Sequence, residues 1–208
     1  MVVVAASLAT AACSSGEPAT STGATSSSAR TAGAAVAALL PADFAAVLAD
    51  DDVLVVNVHV PDEGSIAAKR LCALTYEAMW IGIAKVRTGA RLGDIGHAIQ
   101  SFVEPQGMSV VRDFCGHGLG RMFHDEPNIV HVGRPSEGIV LRPGMFFTVE
   151  PMINLGRPHV KVLSDGWTAV TRDRSLSAQF EHTVGVTTNG VEIFATSAKG
   201  FDKPPYPV

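Results

Sequence analysis

The chain has 208 residues, of which 47% are hydrophobic and 17% charged, with a formal net charge of -4. This length allows one domain or two small ones, and either can bury a substantial core. The slight negative charge argues against a nucleic-acid-binding protein, and no apolar run approaches the roughly 18 residues of a membrane span. The three cysteines are too widely spaced for a disulfide framework or a zinc motif. We expect Cys72 and Cys115 to be reduced, buried thiols.

Residues 1–33 combine a short apolar run with a low-complexity stretch. The run MVVVAASLATAACSS is similar to a secretory signal that ends in a lipoprotein-type cysteine, Cys13. No Lys or Arg precedes it, and Thr10 stands where a leucine-like residue is usual. A disordered, alanine-rich leader is therefore an equal alternative, and envelope attachment stays open. The stretch from Ser14 to Arg30 is rich in Ser, Thr, Ala and Gly and is predicted to be a disordered tether.

Residues 34–66 predict a short helix followed by a buried strand. Pro41 stands near the start of the amphipathic segment DFAAVL, and Val53 to Val58 form an apolar strand-like run. Residues 39–66 resemble the opening strand and helix of a rhodanese-like domain. The catalytic cysteine loop of that family does not follow, so the resemblance indicates a truncated module and not sulfur transfer.

Two helices and then a series of strands are predicted from residue 67 onward. The first helix has four apolar residues at helical spacing, namely Leu71, Leu74, Ala78 and Ile81. The second is predicted from Gly93 to Val103. From Ser109 the pattern changes to short β-rich runs separated by Pro-Gly, Asp-Gly and Asn-Gly turns. This order predicts an α+β fold with two helices packed on a curved, mainly antiparallel sheet.

Four polar residues stand out in apolar or glycine-rich strand-like runs, namely His117, His124, Glu150 and Glu181. His117 is flanked by glycines in CGHGLGRMFHDEP, which allows backbone and ligand to approach closely. Glu150 ends the run MFFTVE, and Glu181 lies within AQFEHTVGV. Taken singly, each is more commonly a structural histidine or a solvated carboxylate. Together, one imidazole and two carboxylates on neighbouring strands suit a divalent ion such as Mn²⁺, Fe²⁺, Co²⁺ or Zn²⁺.

Strand alternation predicts the surroundings of the two glutamates. Glu150 shares a face with Phe146 and Thr148, and Glu181 shares a face with Gln179 and Thr183, if each run is one continuous strand. An unpaired carboxylate on a buried face needs a cation or a proton.

Four strings carry a resemblance to one family: KRLCALTYEAMWIGIAKVRTGARLGDIGHAIQSF, CGHGLGRMFHDEPNIVH, GMFFTVEPMINLG and KVLSDGWTAVTRDRSLSAQFEHTVGVT. Over residues 67–194 the chain resembles the C-terminal half of a type I, bacterial-type methionine aminopeptidase. The resemblance implies a partial pita-bread fold, assigned to residues 67–208. It also implies that His117, Glu150 and Glu181 are metal ligands. The implied cofactor is Co, Mn, Fe or Zn, with two ions in intact relatives and one here.

The resemblance implies further roles close to the metal. His124 matches the histidine that contacts the scissile amide and stabilises the tetrahedral intermediate, and Glu150 matches the carboxylate that passes a proton. Phe123 and Trp167 match residues that line the methionine pocket, with plain core aromatics as the alternative. The implied partner is a peptide or nascent chain with an N-terminal methionine, and the implied location is the cytoplasm.

The family's metal centre also uses two aspartates just before this half. Here His59 stands where one aspartate is expected, and the hairpin that would carry the second is missing. We therefore predict a methionine aminopeptidase of impaired activity. The alternatives are an inactive fused fragment that binds at most one ion and an envelope-tethered binding module. We also expect an exposed apolar sheet face that leads to self-association.

Overall fold

The computed structural model describes residues 66–196, which form two α-helices followed by ten short β-strands. The leader, the tether, the rhodanese-like segment, Cys13 and His59 lie outside the described residues. The helices are α1 (Ile66–Ile83) and α2 (Leu92–Val103), followed by a 3-10 turn at Glu104–Gln106. The strands are β1 (Ser109–Val110), β2 (Gly116–Gly118), β3 (Asp125–Ile129), β4 (Phe146–Val149), β5 (Met152–Asn154), β6 (Val160–Val162), β7 (Ala169–Thr171), β8 (Ser177–Gln179), β9 (His182–Thr187) and β10 (Gly190–Ile193). No helix in the described range is long and apolar enough to cross a membrane.

Both helices predicted from residue 67 onward are present, and each buries an apolar stripe. In α1, Leu71 and Ala78 are fully buried, whereas Leu74 and Ile81 lie at the margin of the stripe. The buried face is completed by residues three, four or seven positions apart: Ala68, Leu71, Thr75, Ala78, Met79, Gly82 and Ile83. The helix begins and ends within a few residues of the prediction.

The strands form three antiparallel sheets instead of one continuous curved sheet. The largest has the order β10-β9-β4-β2-β3, the second has the order β1-β5-β8, and β6 pairs with β7 as a hairpin. All recorded pairings are antiparallel, in agreement with the prediction. The α+β class is confirmed.

Two runs that the sequence presents as single strands are each divided between sheets. The run MFFTVEPMI becomes β4 and β5, with Glu150 and Pro151 between them. The run AQFEHTVGV becomes β8 and β9, with Phe180 and Glu181 between them. A proline has no N–H to donate to a ladder, so Pro151 favours a break at this point. Regular strand alternation therefore ends at Val149 and Gln179. Thr148 and Glu150 still share a face, as predicted, because Thr148 Oγ1 donates to Glu150 Oε1.

The core lies between the helices and one face of the sheets. Helix α1 packs against β4, β5 and β8. Phe147 and Val149 of β4 point into this core and are 1% and 0% exposed, while Phe146 is 44% exposed. The face of β4 that carries Phe146 and Thr148 is therefore turned away from the helices. That face holds the candidate site. Cys115 is a buried thiol, as predicted, and Cys72 is a free thiol that is only partly buried.

Candidate metal site

Sheet register brings the two glutamates together. Val149 pairs with His182 in the large sheet, and Met152 pairs with Gln179 in the second sheet. The chain therefore crosses between the same two sheets at residues 150–151 and again at residues 180–181. Because the two crossings are neighbours, Glu150 and Glu181 face each other where neither has a ladder partner.

His117 reaches the same place from the adjacent strand. Strand β2 pairs with β4, and the His117 backbone N–H donates to Thr148 Oγ1 at 2.9 Å. Its ring Nδ1 lies 3.0 Å from the Gly118 carbonyl oxygen, which only accepts, so Nδ1 carries the proton. Nε2 is the ring nitrogen left to face the site, 3.8 Å from Glu150 Oε1. One ligand atom each from His117, Glu150 and Glu181 lie within 4.8 Å of one another.

The glycines around His117 are needed for close approach of strands. A Cβ on Gly116 would collide with the Thr148 carbonyl oxygen, and a Cβ on Gly118 would collide with that of Glu126. Any larger residue would push β2 away from β3 and β4. The glycines predicted to allow close approach therefore serve the backbone on both sides of the histidine.

The charge balance of the site favours a cation. Burial raises the pKa of Glu150 to about 7 against the opposing hydrogen bonds from Thr148 and Gln179. Burial and the neighbouring Glu150 carboxylate raise the pKa of Glu181 to about 8. No Lys or Arg within residues 66–196 forms an ion pair with either glutamate. Two largely buried carboxylates beside one imidazole nitrogen fit a divalent ion, which would relieve the desolvation of both carboxylates.

Three side chains that the sequence did not assign to the site hold Glu150 in place. Thr148 Oγ1 donates to Glu150 Oε1 at 2.6 Å, and Gln179 Nε2 lies 3.2 Å from both Glu150 Oε2 and the Glu150 carbonyl oxygen. His131 Nε2 accepts the Glu150 backbone N–H at 3.0 Å. Burial lowers the pKa of His131 to about 3, so the ring is neutral. The sequence signal that could have pointed to His131 is a histidine inside the apolar run NIVHV.

His124 and Phe123 lie beside the candidate ligands. The centroids of the His117 and His124 rings are 4.3 Å apart, and the Phe123 ring is 5.4 Å from that of His117. Partial burial and the neighbouring His117 lower the pKa of His124, which favours its neutral form. Phe123 is 49% exposed, so the alternative that it is a core aromatic does not apply.

Trp167 is placed apart from these rings. It lies in the turn between β6 and β7, is 43% exposed, and its backbone N–H donates to Asp165 Oδ1 at 3.0 Å. Within the described residues it makes no ring contact with His117, Phe123 or His124. Its predicted place in a methionine pocket stays a prediction, and it is not a core aromatic.

Comparison with known proteins gives consistent matches. The sequence profile of metallopeptidase family M24 matches residues 7–188. A methionine aminopeptidase of Rickettsia prowazekii is 60% identical over 144 residues, which cover 68% of this chain and 55% of that protein. The methionine aminopeptidase of Escherichia coli K12 is 45% identical over 165 residues, which cover 73% and 62% respectively. The chain thus spans between about half and three fifths of the length of these relatives.

Solved structures agree with the sequence matches. The crystal structure of methionine aminopeptidase from Rickettsia prowazekii has a TM-score of 0.63 at 59% identity and covers 64% of this chain and 54% of its own. The Thermotoga maritima enzyme has a TM-score of 0.63 at 45% identity and covers 64% and 53%. This likeness confirms the pita-bread fold that the resemblance implied.

Proposed function

The chain belongs to metallopeptidase family M24, and we propose that it is a metal-dependent aminopeptidase that removes methionine from the N-terminus of peptides and nascent proteins. The observation that carries the proposal is the convergence of His117, Glu150 and Glu181 at a buried point with ligand atoms within 4.8 Å. The identities of 45–60% to proteins named methionine aminopeptidase support the choice of substrate.

A divalent ion would be held by His117 Nε2 and the carboxylates of Glu150 and Glu181, where it would supply Lewis acidity toward a water and the peptide carbonyl. Co, Mn, Fe and Zn all accept this mixture of nitrogen and oxygen donors. The Gly118 carbonyl fixes the tautomer of His117, and Thr148 and Gln179 orient Glu150. Such supporting hydrogen bonds tune both affinity and geometry.

His124 and Glu150 are the proposed catalytic residues. In hydrolysis the water oxygen bonds to the carbonyl carbon, the C–N bond breaks, and the amine leaves with a proton. Neutral His124 would donate a hydrogen bond to the oxygen on which negative charge develops. Glu150 would take the proton of the attacking water and deliver it to the leaving amine. Phe123 and Trp167 are the proposed contacts for the methionine side chain.

We propose that this chain, by itself, turns over slowly. The described residues supply one imidazole and two carboxylates, which suffice for one ion and are poor for two. A second ion would need donors outside the described residues, with His59 and Asp62 the first candidates. An unsupported second ion loses part of the acidification of water, and we expect activity at least about 10³-fold below an intact relative, or about 4 kcal/mol of barrier.

The test is turnover of a Met-Ala-Ser peptide by the purified chain with Mn²⁺ or Co²⁺, next to an intact relative. Slow methionine release that requires the metal and is lost in His124→Ala supports the proposal. Complete absence of release favours the inactive fragment. Release as fast as that of the relative would show that other residues complete the site.

The remaining alternative, an envelope-tethered binding module, depends on Cys13. Metabolic labelling of a lipid on this cysteine would favour it, and recovery of the unlabelled chain from the cytosolic fraction would favour the predicted cytoplasmic location.

A further inference from the structure

We infer that His131 is a positioning residue of the candidate metal site: its imidazole holds the backbone of Glu150 so that the carboxylate faces His117 and Glu181. The inference rests on the metal site proposed above. His131 is 2% exposed, and its Nε2 accepts the Glu150 backbone N–H at 3.0 Å. Because a backbone N–H can only donate, this nitrogen carries no proton.

Glu150 needs such a partner because it lies between two sheets. Strand β4 ends at Val149 and β5 begins at Met152, so neither sheet offers the amide of Glu150 a ladder partner. Its carbonyl oxygen accepts from Gln179 Nε2 at 3.2 Å. The backbone N–H and carbonyl of Glu150 are thus both hydrogen-bonded to side chains. In a regular strand, the backbone of a neighbouring strand would bind them. A buried N–H without an acceptor is unfavourable, so the peptide unit of Glu150 would tend to turn toward another acceptor if this one were lost.

His131 is itself held on a rigid support. The backbone around it lies against helix α2, where a Cβ on Gly96 would collide with the carbonyl oxygens of Val130 and Val132. The Gly133 N–H donates to Gln100 Oε1 of the same helix at 3.2 Å. The His131 imidazole therefore links helix α2 to residues 150–151, where the chain crosses between the sheets. A metal ligand whose backbone is fixed in this way is preorganised for its ion.

Loss of the His131 acceptor should lower the metal affinity more than it lowers the stability of the fold. Thr148 would still hold Glu150 Oε1, but the peptide unit of Glu150 would be free to turn its N–H toward another acceptor. Removal of a group that orients a metal ligand typically costs about 10- to 100-fold in affinity. We expect the dissociation constant for Mn²⁺ to rise by this factor when the His131 acceptor is lost.

The experiment compares His131→Gln with His131→Met in the full chain. In glutamine, Oε1 stands three bonds from Cβ, as Nε2 does in histidine, so the acceptor is kept. Methionine has a similar length and volume but places a methyl group at that point. We expect His131→Gln to bind Mn²⁺ within a few-fold of wild type and His131→Met to bind about 10- to 100-fold more weakly by calorimetry.

The melting temperature of each metal-free variant separates positioning from folding. Equal Mn²⁺ affinities in the two variants would overturn the inference, as would a loss that glutamine does not rescue. If His131→Met does not fold, amide hydrogen exchange in wild type decides. Slow exchange at Glu150 that persists in His131→Gln supports the inference, and rapid exchange in wild type overturns it.

The outcomes distinguish this inference from the proposed function. Wild type that binds Mn²⁺ but releases no methionine contradicts only the peptidase proposal. Wild type that binds no Mn²⁺ while the Glu150 amide stays protected overturns the positioning role, because the hydrogen bond would then serve the fold alone.

Discussion

At the scale of single residues, the site buries two carboxylates whose negative charge a bound cation would compensate. Glu150 and Glu181 are both largely buried between the sheets. Each has a raised pKa because its charged form loses hydration. Within residues 66–196, the only ion pair recorded for the Glu150 carboxylate is with the His117 imidazole, at 3.8 Å. The metal-free site therefore stores an unfavourable interaction that binding would release.

We predict that Mn²⁺ raises the melting temperature of wild type and that Glu181→Ala abolishes the rise. An ion that binds only the native state stabilises it by about 2.7 kcal/mol at a hundred times its dissociation constant. Removal of Glu181 takes away one of the three candidate ligands. Glu192→Ala, an exposed substitution on β10, is the matched control and should keep the full rise. An unchanged rise in Glu181→Ala, measured by thermal denaturation, would exclude this residue as a ligand.

We predict that metal-free protein becomes less stable as the pH rises from 6.5 to 8. The pKa of Glu181 is about 8 in the native state and near the ordinary 4.5 when unfolded, so the native state binds more protons in this window. The free energy of unfolding then falls by about 1.4 kcal/mol per pH unit for one such group. The neutral His131 contributes an opposite slope only below its ordinary pKa of 6.5.

Urea denaturation in the presence of EDTA measures this slope. Glu181→Gln should reduce it, because glutamine does not titrate. A slope of zero or of the opposite sign in wild type would show that the glutamates are not a buried, uncompensated pair.

At the scale of elements, helix α2 packs closely against the backbone of the segment that follows β3. A Cβ on Gly96 would meet the backbone oxygens of Val130 and Val132, whereas the atoms nearest to a Cβ on Gly82 of α1 belong to the side chains of Ile99 and Ile95. The backbone oxygens of this segment can move only if the segment itself shifts, whereas the end of an isoleucine side chain can rotate away.

We predict that Gly96→Ala destabilises the protein by about 1–3 kcal/mol, the usual cost of overpacking. Alanine is the better helix former by about 1 kcal/mol, so helix propensity alone predicts the opposite sign. Gly82→Ala is the matched control and should cost less. Urea denaturation of both variants checks the order. A stabilised Gly96→Ala would mean that the helix and the strand segment are less tightly packed than the structure shows.

At the scale of the whole molecule, apolar surface remains exposed on the sheet face turned away from the helices. Phe146 and Phe194 are 44% and 52% exposed, with ring centroids 5.4 Å apart, and they lie against the bare backbone of Gly185. An aromatic pair over a glycine covers part of the sheet but leaves its outer faces in water. Exposed aromatic surface of this kind favours association.

We predict that the purified chain self-associates and that Phe146→Thr weakens the association. Threonine keeps the strand preference of this position on the central strand β4 while removing the ring. Sedimentation equilibrium over a series of concentrations measures the effect, with the exposed substitution Val162→Thr on β6 as the control. A chain that stays monomeric at every concentration would contradict the predicted self-association.

Local patterns determined the helices, the change to antiparallel strands and the three candidate ligands. Helical stripes, turn dipeptides and polar residues inside apolar runs are all visible within a few residues of sequence. His117, Glu150 and Glu181 could be identified in this way because each interrupts a pattern. The strands β2 and β3 could not, since a glycine-rich segment and the polar sequence DEPNI lack the alternation of a strand.

Only the tertiary structure decided which strands share a sheet and where the chain crosses between sheets. Register depends on partners far along the chain, so the sequence could not show that MFFTVEPMI and AQFEHTVGV are each divided, nor that both divisions meet at the glutamates. The partnership of His131 with the Glu150 amide is of the same kind. A hydrogen bond across nineteen positions has no local signature, because it exists only once helix and sheets have packed together.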